Sequence, residues 1–412
     1  MLIISFDAVG DSEFELLMGY PAFSAFAGQA AVYRGVPTLC PSNTYPIHAS
    51  VVTGVLPSVH GLISNTRPFP SRHPVWNNRE DGIRAKTLWQ AAAEKGVSTA
   101  AVFWPATGYS KTIRYNIPEM VPRPGKNLVV TLMKAGSKRL QAKMLLRHGK
   151  MLDGISQPKR DDFAAACMAD IIREKRPGLA LVHLTAYDSL CHANGRGSGA
   201  LKAAFESLDR NLAVLLEAAG ESGDVVVFSD HCQINLHTAT EPNGILVRAG
   251  LMGREKDAWV PGESGCFIEC CGGTAFFHAG RLPDGRVGEL RGEIERSEGF
   301  RRFLTGREMQ DSGYGGAAFG FCAQAGYSFA AFAPGHKAEH GYPPDMPDYE
   351  VFYMARTPGL PLGRTTRGGS LLDIAALAAK SLGIEMCEQQ DDNYDDSKTT
   401  TRRQLRRQQN DS

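Results

Sequence analysis

The segment MLIISFDAVG, residues 1–10, joins a short apolar run to a carboxylate. An uninterrupted apolar run of this length is typical of a strand that is buried on both faces of a sheet. The segment has neither the basic start nor the cleavage site of a secretory leader, which favours a strand over a signal peptide. Asp7 follows the run directly, and open α/β sheets bind their ligands just past the carboxyl ends of their strands. Asp7 is therefore a candidate site residue.

Four further apolar runs repeat this arrangement: VSTAAVFW (97–104), GLALVHLTA (178–186), DVVVFS (224–229) and YSFAAFAP (327–334). Helical patterns such as GALKAAFESLDRNLAVLLEAAG (199–220) lie between them. Strand-like runs that alternate with helices predict an α/β protein with a mostly parallel central sheet and helices on both faces. The last three runs are followed by polar residues that belong at the same edge of the sheet: Asp188, Asp230, His231 and His340.

Two segments do not follow the alternation. Residues 110–160 are basic in their second half and read as a helical lid insertion, and residues 235–326 are rich in glycine and read as an inserted smaller cap domain. The core would then comprise residues 1–234 and 327–387. Residues 388–412 carry almost no apolar side chain to bury, so we expect a disordered tail.

The overall composition excludes several classes of protein. The 412 residues have a net charge of only +1, which gives no indication of a nucleic-acid polymer or a membrane surface as a partner. No apolar run is long enough to span a membrane. The nine cysteines lack paired spacing, which favours a reducing compartment and hence a cytoplasmic protein. The sequence gives no indication of the oligomeric state.

The polar residues at the strand ends have the chemistry of metal ligands. Asp188 and His192 lie four residues apart in YDSLCHANG, so on a helix they share one face. With the other strand-end residues they make three aspartates and three histidines, a mixture of oxygen and nitrogen donors that suits zinc. One ion cannot use six ligands and leave room for a substrate, whereas two ions can, and metal pairs of this kind assist phosphoryl transfer.

A threonine sits at the predicted start of a helix in CPSNTYPIHASVVTG, residues 40–54. Thr44 could be a helix cap, which is the common role of a hydroxyl at this position. It could also be a nucleophile that a nearby metal or base activates, with the helix N-terminus favouring the negative charge of a phosphate. The metal-ligand pattern favours the second interpretation.

Residues 43–65, NTYPIHASVVTGVLPSVHGLISN, resemble the nucleophile segment of the nucleotide pyrophosphatase/phosphodiesterase branch of the alkaline phosphatase superfamily. The family pattern is T-x-P-N-H, then T-G, then P-x-x-H-G and a later asparagine. The segments YDSLCHANG, SDH and HGY resemble the remaining metal motifs of the family in the same order. The chain keeps these positions of the nucleophile pattern: Thr44, Pro46, His48, Thr53, Gly54, Pro57, His60, Gly61 and Asn65.

The resemblance implies an alkaline-phosphatase-like fold and an enzyme with two divalent metal ions, most often zinc. It implies that Thr44 is the nucleophile, which forms a covalent phosphothreonine intermediate, and that the Asn65 amide binds a phosphate oxygen. One ion would be held by Thr44, Asp7, Asp230 and His231, and the other by Asp188, His192 and His340. The expected reaction is hydrolysis of a phosphodiester or pyrophosphate bond in a small molecule such as a nucleotide.

The chain departs from the family pattern at three positions, where Asn43, Ile47 and Cys232 replace lysine, asparagine and glycine. None of these changes removes a ligand, but each can alter what surrounds the ligands or the substrate. Asn65 is a neutral donor, which suits a diester with one negative charge better than a dianionic monoester. A phosphonate or phosphomonoester hydrolase, and a metal-binding relative without catalysis, are the alternatives.

Overall fold

The computed structural model describes residues 1–67, 75–121, 125–256, 258–330 and 335–386. The predicted tail, 388–412, lies outside these residues. The strands are β1 Leu2–Phe6, β2 Ala31–Val36, β3 Thr99–Val102, β4 Tyr115–Ile117, β5 Leu179–Leu184, β6 Val225–Ser229, β7 Ile234–Asn235, β8 Thr238–Thr240, β9 Met252–Glu255, β10 Ala258–Pro261, β11 Phe267–Cys270, β12 Thr274–His278, β13 Phe300–Phe303, β14 Phe319–Ala323, β15 Tyr327–Phe329, β16 Ala338–Glu339, β17 Val351–Arg356 and β18 Thr365–Arg367.

The helices alternate with the strands through the first half of the chain. They are α1 Phe14–Leu17, α2 Pro21–Gly28, α3 Thr44–Thr53, α4 Pro57–His60, α5 Leu88–Glu94, α6 Leu128–Ala135, α7 Lys138–His148, α8 Lys159–Lys175, α9 Ala186–Asn194, α10 Lys202–Ala219, α11 Asn243–Arg248, α12 Asp284–Glu295, α13 Gly306–Asp311 and α14 Asp373–Leu382. In the part of the chain that the structure describes, no helix has the length and apolar character of a membrane span.

The central sheet has eight strands in the order β18-β2-β17-β6-β1-β5-β3-β4. Strand β17 runs antiparallel to both of its neighbours, and all the other pairs are parallel. The prediction of a mostly parallel sheet is confirmed. One assignment was wrong: residues 327–329 form β15, which pairs with β8 in a separate two-stranded sheet. The apolar strand β17, which the sequence pattern did not single out, lies next to β6 instead.

Helices cover both faces of this sheet, as predicted. The alternating residues of β1 explain why, since Leu2, Ile4 and Phe6 pack into a cluster with residues of α2, α8 and α10. The intervening Ile3 packs with residues of α3, α5 and α14 on the opposite face. Burying such a side chain contributes roughly 1.5–3 kcal/mol, so the strand is fixed from both sides at the point where it leads into the site.

A second sheet lies within the predicted cap region. Four antiparallel strands in the order β11-β12-β14-β13 pack with α12 around their own hydrophobic cluster. This cluster also includes Tyr342 and Tyr349, so the second sheet is packed against the chain that leads into β17. We propose 235–326 as the limits of a cap domain.

The predicted lid region contains α6 and α7, followed by a short 3-10 helix, Gly149–Met151. Residues 115–117 of this region form β4, the strand at the edge of the central sheet opposite β18, and α7 packs beside β4. We propose about 110–160 as the limits of this lid.

Candidate active site

The parallel register of the central strands brings the first site residues together. Phe6 is paired with Leu184 on one side and with Ser229 on the other, so β1, β5 and β6 end at the same level. Asp7 and Asp230 follow directly, on adjacent strands. The backbone N–H of Ala8 donates to Asp230 Oδ1 at 3.1 Å, which fixes the turn after β1 against the end of β6.

We call Asp7, Asp230 and His231 the inner cluster. His231 Nε2 lies 3.4 Å from Asp7 Oδ1 and 3.4 Å from Asp230 Oδ2. These two carboxylate oxygens are buried and have no hydrogen-bond partner within the described protein. Buried carboxylate oxygens of this kind are costly unless a cation compensates them. The three ligand atoms lie within 4.8 Å of one another, close enough to share one ion.

Burial dominates the pKa values of the inner cluster. Burial, and then the neighbouring carboxylate of Asp230, raise the pKa of Asp7 well above its ordinary value. Burial also raises the pKa of Asp230 to about 6 and lowers the pKa of His231 to about 4. The protein alone therefore disfavours the charged form of every member of the inner cluster.

Thr44 is the first residue of α3 and faces the inner cluster. Its Oγ1 lies 3.2 Å from His231 Nε2. The helix-capping position is taken by Asn43, and no side-chain capping bond is made there. The capping alternative for Thr44 therefore has no support in the geometry, because the hydroxyl contacts a candidate metal ligand instead of a backbone N–H.

Asn65 is held close to the start of the same helix. Its Oδ1 accepts a hydrogen bond from the backbone N–H of Tyr45 at 2.9 Å. The side-chain NH2 is then the half of the amide that can donate to a ligand. Because the Tyr45 N–H is engaged and Pro46 has no N–H, the first turn of α3 offers fewer backbone donors than an ordinary helix N-terminus.

We call Asp188, His192, Glu339 and His340 the outer cluster. Asp188 and His192 lie on α9, with His192 Nε2 3.3 Å from Asp188 Oδ1. His192 Nδ1 is 2.8 Å from the Ala338 carbonyl, to which it can donate, leaving Nε2 as the nitrogen available to a metal. The His340 ring stacks on His231, with a centroid distance of 4.2 Å, and so joins the two clusters.

The ligand atoms of the outer cluster form two compact sets within the described residues. The ligand atoms of Asp188 and His340 form one compact set with His231, and those of His192 and His340 form another with Glu339. Glu339 Oε1 lies 3.7 Å from His340 Nε2, and Oε2 lies 3.0 Å from His336 Nδ1. Sequence reasoning missed Glu339, although an acidic residue directly before His340 in AEHGY was an available signal.

In the outer cluster, the carboxylates and the histidines stabilise each other's charged forms. Burial opposes ionisation of Asp188, but His192 and His340 outweigh it and lower the Asp188 pKa. Burial likewise opposes the charge on His192, but Asp188 outweighs it and raises the His192 pKa to about 10. Glu339 follows the same pattern, since His336 overcomes burial and the pKa falls to about 2.

Several buried side chains hold the ligands in place. His183 Nε2 lies 3.0 Å from Asp7 Oδ2, and Gln233 Nε2 donates to Asp188 Oδ1 at 2.5 Å. His48 lies between the Thr44 carbonyl at 2.8 Å and the Ser5 hydroxyl at 2.9 Å. These contacts orient the ligands before any ion binds.

The three departures from the family pattern occupy different surroundings. Asn43 Oδ1 lies 3.0 Å from His340 Nδ1, so this residue contacts the outer cluster. Ile47 is fully buried in the hydrophobic core. Cys232 is also buried, with its Sγ 3.7 Å from the Asp348 carbonyl. Asn43 is therefore the departure whose side chain contacts a candidate metal ligand.

A hydroxyl, carboxylates and histidines gathered at the strand ends of an α/β sheet form a donor set that suits divalent metal ions. The chain belongs to the type I phosphodiesterase / nucleotide pyrophosphatase family, whose sequence profile matches residues 1–289. The family depends on metal ions for its reaction.

Individual relatives are distant in sequence. Ectonucleotide pyrophosphatase/phosphodiesterase family member 3 of Mus musculus is 22% identical over 213 residues, which are 46% of this chain and 20% of the relative. Venom phosphodiesterase 2 of Crotalus adamanteus is 22% identical over 208 residues, 46% of this chain and 21% of the relative. The chain spans about a fifth of the length of these curated relatives.

Solved structures share the fold over nearly the whole chain. Murine ectonucleotide pyrophosphatase/phosphodiesterase 5, an inactive threonine-to-alanine variant in complex with AMP, superposes with a TM-score of 0.67 at 15% identity. The match covers 94% of this chain and 96% of that chain. The human protein of the same name matches with the same coverage and score.

The residues present fit divalent cations. The inner cluster offers two unpartnered buried carboxylate oxygens and a neighbouring imidazole nitrogen. The outer cluster offers carboxylates and imidazoles within reach of each other. Mixed oxygen and nitrogen donors of this kind bind zinc and also other divalent transition metals.

Proposed function

We propose that this protein hydrolyses phosphodiester or pyrophosphate bonds in small nucleotide-like substrates, with Thr44 as the nucleophile. The observation that carries the proposal is the position of Thr44 Oγ1, 3.2 Å from His231 Nε2 at the inner cluster. The mouse relative that is described as inactive carries alanine in place of a threonine, and it holds AMP. Both facts support a threonine nucleophile and a nucleotide substrate here.

We further propose that the site binds two divalent ions, with zinc preferred. Asp7, Asp230, His231 and Thr44 would hold one ion, and Asp188, His192 and His340 would hold the other. Such ions, when bound, lower the pKa of a coordinated hydroxyl and neutralise charge on phosphate oxygens.

The chain's own residues supply the rest of the proposed reaction. Thr44 Oγ loses its proton and attacks phosphorus, the bond from phosphorus to the leaving oxygen breaks, and a covalent phosphothreonine remains. The leaving oxygen takes up a proton and departs as the alcohol. A water then attacks phosphorus and breaks the bond to Oγ, which regains its proton. The sum is one diester and one water converted to a monoester and an alcohol. Asn65 would donate from its NH2 group to a non-bridging oxygen in both steps.

The substrate panel that tests this proposal consists of bis(p-nitrophenyl) phosphate, p-nitrophenyl phosphate and p-nitrophenyl sulfate. We expect zinc-loaded protein to prefer the diester, and Thr44→Ala to remove that activity. A preference for the monoester would show that Asn65 does not select a diester. No turnover of any ester by protein with two bound ions would favour the non-catalytic alternative.

We also propose that the protein works in a reducing compartment such as the cytoplasm. All eight cysteines within the described residues are free thiols, and six of them are buried. Thiol titration of denatured protein purified from its natural source, without reductant, should detect every cysteine as a thiol. Fewer thiols would indicate disulfides and an oxidising compartment.

A further inference from the structure

The lid is strongly basic, although the net charge of the whole chain is close to zero. Residues 125–160 contain nine lysines and arginines against one acidic residue, Asp153, a local net charge of +8 in a chain of net charge +1. Some of these cations are paired, such as Arg147 with Asp170 and Glu174. Within the described residues, five exposed cations have no ion pair: Lys126, Lys134, Lys138, Arg139 and Lys150.

The same segment exposes large apolar side chains. Leu146 on α7 is 89% exposed, and Ile155 is 73% exposed. Single exposed apolar residues are ordinary on soluble proteins, but here six occur within 27 residues, at Val129, Val130, Leu145, Leu146, Met151 and Ile155. Exposed apolar residues concentrated in one segment indicate a candidate interaction surface.

Behind these residues lies an apolar cavity of about 450 Å³. Leu128 and Leu132 of α6 form part of its wall, together with Phe163 of α8. Leu145 and Ile155 both line the cavity and are exposed to solvent, so the cavity opens at the lid surface.

One ion pair interrupts the apolar lining. Arg160 Nη2 lies 2.9 Å from Glu119 Oε1, and both residues line the cavity. The two charges offset each other within the lining.

We propose that the lid is an anionic-lipid binding element: its basic residues bind headgroups at a lipid surface, and its cavity accepts an acyl chain. The exposed leucines would lie within the acyl boundary of the surface, while Lys138 and Arg139 stay at the level of the phosphates. Charge complementarity selects anionic lipids, since each lysine or arginine near such a surface adds to the attraction.

A nucleic acid is the other polyanion that the charge could attract. Single-stranded nucleic acids bind where aromatic side chains stack on the bases, and residues 125–160 contain no phenylalanine, tyrosine or tryptophan. The exposed large apolar residues of the lid are aliphatic, and the cavity lining is mostly apolar, which does not suit a base edge or a phosphate. The lid is therefore better matched to lipid.

Flotation of the full chain with vesicles tests the docking. We expect binding to vesicles of phosphatidylcholine with phosphatidylglycerol, and about fivefold weaker binding for each charge removed in Lys138→Gln and Arg139→Gln. Leu146→Gln should weaken binding about tenfold. Leu362→Gln is the matched control, because Leu362 is also an exposed leucine (51%) and precedes β18 at the opposite edge of the sheet.

Several results would overturn the docking proposal. Equal binding to pure phosphatidylcholine, no binding to either vesicle, or equal losses in Leu146→Gln and Leu362→Gln would each do so. Preferential binding of a single-stranded RNA, or a dimer in solution that Leu146→Gln dissociates, would assign the surface to a different partner.

A chain-length series tests the cavity separately. Octanoate, decanoate and dodecanoate, each below its micellar concentration, should bind with affinity that rises about fourfold for each methylene. Ile155→Gln, which alters the cavity mouth, should weaken this binding, whereas Leu146→Gln, which lies outside the cavity, should not. Affinity that does not depend on chain length would show that the cavity takes no acyl chain.

Discussion

The inner and outer clusters use similar side chains but differ in how they are built and charged. The inner cluster follows the buried strands β1 and β6, and its side chains are at most 5% exposed. The outer cluster joins α9 to the chain around β16, and its side chains are 12–17% exposed. The inner cluster has buried carboxylate oxygens without partners, whereas the outer cluster pairs each carboxylate with a histidine. We infer that the inner cluster needs a cation for its stability and the outer cluster mainly for the reaction.

The largest expected effect belongs to the residue that faces the inner cluster. Thr44→Ala should lower turnover of a diester at least about a thousandfold, since the nucleophile is lost. Metal content, measured by inductively coupled plasma mass spectrometry, should stay at two ions. Thr53→Ala on the same helix is the matched control, because its hydroxyl bonds only the Ala49 carbonyl at 2.7 Å. Equal activity in the two variants would exclude Thr44 as the nucleophile.

Replacing one aspartate in each cluster should separate their roles. Both Asp7→Asn and Asp188→Asn should lose one ion and about a hundredfold or more in activity. When a chelator has removed the metal ions, Asp7→Asn should unfold at the same temperature as wild type or higher, because the buried Asp7 carboxylate then destabilises the fold. Asp188→Asn should lose roughly 1–3 kcal/mol, because it leaves His192 without its partner. Thermal unfolding with and without zinc measures the difference, and the reverse order of stabilities would contradict the comparison.

Replacing Asn65 tests the proposed phosphate-binding amide, which belongs to neither cluster. Asn65→Ala should lower kcat about a hundredfold and change KM little, because its amide acts on charge that grows in the transition state. Asn77→Ala is a control for loop position, since its side chain donates to the Ser64 carbonyl at 2.8 Å. If KM rose while kcat stayed the same, Asn65 would be a binding residue only.

The smallest effect should come from Glu339. Glu339→Gln keeps the shape of the side chain and removes the charge that faces His336, His192 and His340. We expect zinc affinity of the outer cluster to fall about tenfold, and that of the inner cluster to stay constant. Competitive titration with a chromogenic chelator resolves the two sites. An equal loss at both sites would indicate a general structural effect.

The sequence predicted the position of the inner cluster because its three residues directly follow two buried runs, β1 and β6. Asp7 and Asp230 could be placed at one edge of a sheet without knowledge of any long-range contact. The outer cluster was harder, because Glu339 and His192 are distant in sequence and meet only when β16 packs beside α9. Glu339 is the ligand candidate of the outer cluster that the sequence analysis did not include.

Two other features were beyond local reasoning. The apolar run 327–334 has the composition of a strand, but periodicity cannot tell to which sheet a strand belongs, and β15 pairs outside the central sheet. The overall charge of +1 suggested no charged partner surface, although residues 125–160 of the lid alone carry +8. An average over the chain hides a segment that differs from the rest.

The stereochemistry of hydrolysis tests the central claim, a covalent threonine intermediate, most directly. A single diastereomer of a nucleoside p-nitrophenyl phosphorothioate would be hydrolysed in 18O-labelled water, and the configuration of the product determined by 31P NMR. Two successive in-line displacements, first by Thr44 and then by water, predict retention of configuration at phosphorus. Inversion would mean that water attacks the substrate directly and that Thr44 forms no intermediate.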